Sequence, residues 1–136
     1  MGWALSRWID TELALTALDR ALLARRPAAG LIHHSDQGVQ YASAAYVAHL
    51  EAAGAQVSMA VKGNAYENAK AERFFRTLKH EEVYLQEYRD FDEAQANLAR
   101  FIDDVYNTKR LHSALGYRPP ADFEEAYGSL KVNLSS

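Results

Sequence analysis

Leu31-Ile32-His33-His34-Ser35-Asp36-Gln37-Gly38 is an apolar step that runs into a polar turn. Gly30 leads into it and Gln37-Gly38 closes it, so the stretch predicts a short strand with Asp36 just past its carboxyl end. Downstream, Ser43 is placed to cap a helix through Tyr46, Val47 and Leu50, with Gly54 as its stop. Residues 56–61 then alternate Val57, Met59 and Val61 with Ser58 and Ala60, the pattern of a half-buried strand. Upstream, Asp10 or Thr11 can cap a helix carrying Leu15, Leu18 and Leu22, ended by Arg25, Arg26 and Pro27. Residues 2–9, rich in Trp and aliphatic side chains, read as the end of a strand.

The second half is helical in pattern. A long helix is expected from about residue 68 to 85, with Ala71, Phe74, Phe75 and Leu78 on one side. Asp90 and Glu93 spell a capping box for a helix with the stripe Phe91, Ala94, Leu98, Phe101, Ile102 and Val105. A loop around Pro119-Pro120 precedes a short acidic helix to about Tyr127, and the last residues read as a polar tail. Strands alternating with helices define an α/β protein, expected here as a short mixed sheet flanked by helices. The expected division is a core over 1–127 and a tail over 128–136.

Composition excludes several classes. The chain has 136 residues, 49% hydrophobic and 24% charged, which is ordinary for a globular domain. There is no cysteine, hence no disulfide framework, thiolate metal site or cysteine nucleophile. No apolar run approaches the roughly 20 residues that span a bilayer, and the first residues do not read as a signal peptide. The formal charge of −3 disfavours nucleic-acid binding by bulk charge. Locally the balance inverts. Residues 62–79 carry Lys62, Lys70, Arg73, Arg76 and Lys79 against Glu67 and Glu72, and residues 106–120 carry Lys109, Arg110 and Arg118 with no acid.

Asp36 and Glu72 are separated by residues 37–71, which is 35 positions. Open α/β sheets place ligands at the carboxyl ends of their strands, where Asp36 falls. Glu72, Arg76 and Lys79 stand at i, i+4 and i+7 and so share a helix face. Two carboxylates with open oxygen positions suit Mg²⁺, and neighbouring cations suit phosphates. Spacing alone also fits a turn Asp and a surface Glu–Arg pair worth a few tenths of a kcal/mol. In a strand His34 shares a face with Asp36 and could be its partner, while His33 faces away. His80 and His112 lack partners at ligand spacing and read as surface residues. Tyr66, Tyr84, Tyr88 and Tyr106 fit core edges or base-stacking groups equally.

Three blocks, His33-His34-Ser35-Asp36-Gln37-Gly38-Val39-Gln40-Tyr41, Lys62-Gly63-Asn64-Ala65-Tyr66-Glu67-Asn68-Ala69 and Glu72-Arg73-Phe74-Phe75-Arg76-Thr77-Leu78-Lys79, occur in this order. They resemble the integrase-type catalytic core of bacterial insertion-sequence transposases, in the DDE superfamily. Tyr106-Asn107, Arg110-Leu111-His112 and Leu115-Gly116-Tyr117-Arg118-Pro119-Pro120 resemble that family's C-terminal signature. The likeness runs from about residue 2 to 127 and implies a ribonuclease-H-like fold. It implies that Asp36 and Glu72 are the second and third acids of the triad, as catalytic residues and metal ligands. Lys79 would contact element-end DNA, and Asn64 and Asn68 would sit in the loop before the catalytic helix, near the metal site. With Arg76 on the same helix face and Lys62 in the basic strip, these are the candidate DNA-binding residues.

By the same resemblance the first acid would lie on a strand before residue 2. The chain is accordingly expected to be N-terminally truncated, and Asp10 is expected to be a helix cap instead of that acid. The implied function is metal-dependent DNA cleavage and joining with Mg²⁺, or Mn²⁺ in its place, impaired in this chain alone. Implied partners are element-end and target DNA and other transposase protomers, in the cytoplasm and away from membranes. The alternative is a non-catalytic DNA-binding or dimerising module that modulates a full-length transposase. A plain ribonuclease-H-like nuclease and a non-functional relic rank behind both.

Overall fold

The computed structural model describes residues 2–60 and 69–135, and the chain divides into two units, residues 1–75 and 76–136. The first unit is built on a strand–helix–strand element. Strand β1 (Ile32–Ser35) is followed by a short helix α2 (Val39–Ala42), helix α3 (Ala44–Ala52) and strand β2 (Gln56–Met59). The strands are parallel, with Ile32 opposite Gln56 and Ser35 opposite Met59. The sheet among the described residues is thus a two-stranded parallel pair and not the mixed sheet expected. A helical crossover of this length returns the chain parallel to its first strand.

Helix α1 (Thr11–Arg25) covers this element. Asp10 caps it, its Oδ1 accepting the Leu13 N–H at 2.9 Å, so the aspartate is a cap as read from the sequence. The core joins Leu18, Tyr46, Leu50 and Ala55, with Ala14, Leu15, Leu22 and Tyr41 packed round it. Ser43 caps α3 by accepting the Tyr46 N–H. Gly54, at φ +75, turns the chain from α3 into β2 and lies against Ala29, and its carbonyl accepts the Gly30 N–H at 2.8 Å.

Residues 2–9 are not a strand. Its first residues lie on α1: a Cβ on Gly2 would fall 2.4 Å from the Ala21 Cβ, and the Trp3 carbonyl accepts from the Arg20 guanidinium at 3.0 Å, while Trp8 and Ile9 are exposed. An apolar run becomes a strand only beside a pairing partner, and among the described residues none pairs with this one.

In the second unit the C-terminal part of helix α4 (Ala69–Glu81) passes into a 3₁₀ turn, Val83–Leu85, five residues short of α5 (Phe91–Arg100). Asp90 Oδ1 accepts the Glu93 N–H at 2.8 Å, as the capping box predicts. Glu93 in return takes the Arg89 N–H, one residue before the cap, together with the Arg89 side chain. The apolar stripe continues past α5 as a π-helical turn, Phe101–Tyr106, which buries Phe101 and Ile102 beside Leu98. Helix α6 (Pro120–Ser135) runs beyond the end expected near Tyr127. Among the described residues no helix is long and apolar enough to cross a membrane.

Candidate active site

The parallel pairing brings the carboxyl ends of β1 and β2 side by side. The Ala60 N–H donates to the Ser35 carbonyl at 2.7 Å, and the Ala60 carbonyl accepts from the Gln37 side chain at 3.1 Å. Asp36 stands at this junction, exposed, with Oδ1 accepting the Gly38 N–H at 2.8 Å. That bond holds one carboxylate oxygen, and among the described residues Oδ2 has no hydrogen-bond partner. A Cβ on Gly38 would lie 2.9 Å from the same Oδ1, so the turn needs glycine for room and not for its dihedrals. The sequence reading assigned Gly38 to the turn but not to the carboxylate.

Tyr41 and Tyr46 stack edge-on behind this turn at 5.4 Å. Burial raises the Tyr41 hydroxyl above its ordinary 10.0, and the Asp36 charge adds to it. Burial pushes Tyr46 up to about 12, so it stays a neutral donor or acceptor near neutral pH. The His33 Nε2 lies 3.0 Å from the Tyr46 hydroxyl, while its Nδ1 is buried without a hydrogen-bond partner. His34 faces the other way, as strand alternation requires, with Nδ1 3.0 Å from the Ser58 Oγ. Its ring nitrogen is thus engaged across the strand pair by Ser58.

Glu72 is in the same unit as Asp36, on the first turn of α4, where the helix dipole favours an anion. Glu72, Arg76 and Lys79 are all exposed, and among the described residues no ion pair joins Glu72 to Arg76. The helix-surface pair that spacing alone allowed is therefore not formed. Lys62, Asn64 and Asn68 lie outside the described residues. The donor type fits a hard cation, since both carboxylates offer oxygens and Mg²⁺ needs only one or two of them beside phosphate. The number falls short of a closed site: among the described residues no three His, Asp or Glu side chains gather at metal-holding spacing.

The basic strip expected over residues 106–120 is largely engaged internally. The Arg110 guanidinium forks onto Glu81, with Nε at 3.0 Å and 3.1 Å from the two oxygens and Nη2 at 2.8 Å. Arg118 donates to the Leu115 carbonyl and covers the Phe123 ring at 5.0 Å. His112, expected at the surface, is half-buried. It pairs its backbone with Arg118, stacks edge-on with Tyr106 at 4.9 Å, and buries Nε2 without a hydrogen-bond partner. A strand bridge between residues six apart is a tertiary outcome that helical spacing does not signal.

Two overlapping matches place this architecture. Family models described as "Integrase core domain" match residues 1–65 and residues 53–120. A transposase for insertion sequence element IS904 from Lactococcus lactis is 41% identical over 125 residues, covering 92% of this chain and 49% of the relative. An IS600 31 kDa protein from Shigella sonnei is 42% identical, covering 92% and 46%, and an IS629 transposase from the same organism is 39% identical, covering 93% and 42%. The chain belongs to the integrase-core family, of the DDE type carried by insertion-sequence transposases. It spans about half the length of the curated relatives it matches.

The half-buried imidazoles, each with one ring nitrogen shut from solvent, make stability pH-dependent. Burial lowers His33 from 6.5, and burial with the Arg110 charge lowers His112. The unfolded chain thus binds protons that the folded chain refuses, and stability falls as pH drops through about 6.5. Arg110 holds Glu81 below 4.5 and Arg89 holds Glu93 there, so their stabilisation is complete above about 4.5 and is lost as pH falls through the folded values. The denaturant midpoint should therefore decline in two steps on acidification. The first, setting in as pH falls through about 6.5, should shrink in His33→Gln and His112→Gln, and the second, setting in below about 4.5, should survive both. A flat midpoint from pH 7 to 5.5 would contradict the burial of both rings.

Proposed function

We propose that this chain contributes the second and third acids, Asp36 and Glu72, to a transposase core that cleaves and joins DNA. The carrying observation is the place of Asp36: beyond the carboxyl end of a parallel strand, with one oxygen held by Gly38 and the other unpaired among the described residues. Family membership supports the same reading. Asp36 and Glu72 would hold Mg²⁺, or Mn²⁺ in its place. Once bound, the cation would polarise a phosphodiester oxygen and ease deprotonation of an attacking water or 3′-hydroxyl. Arg76 and Lys79, one and two turns beyond Glu72, would neutralise flanking phosphates. Lys62, Asn64 and Asn68 would extend those contacts to element-end and target DNA. The setting would be the cytoplasm, with other transposase protomers as partners.

Two carboxylates supply less charge and fewer fixed ligands than three, so little or no joining is expected from this chain alone. The lack of a three-group cluster among the described residues favours a second reading, a DNA-binding or dimerising module that modulates a full-length transposase. A Mn²⁺ titration followed by NMR separates the two. The proposal expects paramagnetic broadening at Gly38 and Glu72 together, lost in Asp36→Asn and in Glu72→Gln. Broadening that ignores both substitutions would end it. Salt-dependent DNA binding without any site-specific Mn²⁺ effect would leave the second reading. In the same binding assay, Arg76→Gln and Lys79→Gln should each reduce the salt slope by about one.

A further inference from the structure

Helix α4 ends on a residue that its own dipole disfavours. Glu81 sits in the last turn, where backbone carbonyls collect partial negative charge and a carboxylate is repelled. The next residue, Glu82, is also acidic, and it is buried with one oxygen taken by the Tyr88 hydroxyl at 3.2 Å. Each acid is thus tied to a downstream segment. For Glu81 the tie is Arg110, 29 residues away in sequence, through three hydrogen bonds on a forked guanidinium. Arg110 is itself preset. The Val105 carbonyl accepts both the Lys109 and Arg110 N–H groups at 2.9 and 2.7 Å, in a tight turn at the end of the π-helical segment.

The direction of this tie bears on the cations of α4. Side chains two residues apart point about 200° apart round a helix, and those five apart about 140°. With Glu81 fastened on one side, Lys79 and Arg76 are turned away from the fastening, and both are exposed.

We infer that Arg110 is a positioning residue: its fork on Glu81 fixes the last turn of α4 so that Lys79 and Arg76 project away from the C-terminal signature, and it does not itself contact DNA. The inference rests on the proposed reading of those two cations as phosphate contacts. It separates the basic residues of the two strips into one that anchors and two that bind.

Amide hydrogen exchange on the free chain tests the anchoring. Arg110→Lys keeps the charge but cannot fork onto a carboxylate. This substitution and Glu81→Gln should each speed exchange of the Lys79, His80 and Glu81 amides roughly threefold to fivefold, as suits a half-exposed ion pair. The double variant should go no further than either single one. Arg110→Lys should also weaken salt-dependent DNA binding while leaving the salt slope unchanged. Unchanged exchange in Arg110→Lys would overturn the inference. So would faster exchange with unaltered DNA affinity, which would make the fork purely structural. If the unmutated chain binds no DNA, the phosphate role of Lys79 and Arg76 falls, and exchange alone still upholds or overturns the anchoring.

Discussion

Leu50→Ala should lower the stability of the first unit by about 3 kcal/mol, the middle of the range for a fully buried leucine. Leu50 is 1% exposed, the most completely buried large side chain described, and it packs among Leu18, Tyr46 and Ala55. It joins α1 and α3 to the start of β2, so a cavity there faces three elements. Tyr46 is tied to His33 by its hydroxyl and cannot swing freely into the space without giving up that contact. For a unit of this size the midpoint of thermal unfolding should fall by on the order of 10–20 °C. A loss below about 1 kcal/mol would mean that the site collapses on truncation, and that the core is less fixed than its burial implies.

Gly38→Ala should separate folding from the site. The glycine backbone, at φ −57 and ψ 142, lies where alanine is unstrained, so stability should stay within about 0.5 kcal/mol. The added methyl would meet the Asp36 Oδ1 at 2.9 Å, the Tyr41 ring at 3.2 Å and the Gln40 Oε1 at 3.3 Å. The carboxylate, held among the described residues only by the Gly38 N–H, is the group that must move. Mn²⁺ affinity should then drop by about tenfold, the scale seen when a group orienting a metal ligand is disturbed. Equal Mn²⁺ affinity in the two proteins would show that the turn does not aim Asp36. A large stability loss would show instead that the glycine serves the fold.

Much of the local structure follows from neighbours in sequence, and there the reading of residues holds. Asp10 and Asp90 cap their helices because an Asp side chain reaches an N–H three residues on, whatever the rest of the chain does. The strand at His33 to Ser35, the Ser43 cap and the left-handed Gly54 are settled in the same way. The readings that fail are those needing a distant partner. Residues 2–9 have strand composition but pair with no strand among the described residues, and Gly2 and Trp3 lie against α1. His112 and Arg110 look like surface groups until the chain after the π-helical turn folds back on Tyr106 and Glu81. The stripe from Phe91 to Val105 predicts one helix, and periodicity does not reveal that its end widens to a π turn.

The same division runs through the candidate site. Sequence alone determined the carboxylates, their spacing and the helix face shared by Glu72, Arg76 and Lys79, because covalent order and helical geometry fix these. Only the tertiary structure decided that the ends of two strands meet beside Asp36 and that Arg110 is engaged by Glu81. Each of those depends on groups brought together by burial of apolar surface, a force without direction along the chain. Which polar groups come to face one another is then set by packing, and no residue's neighbours in sequence carry that information.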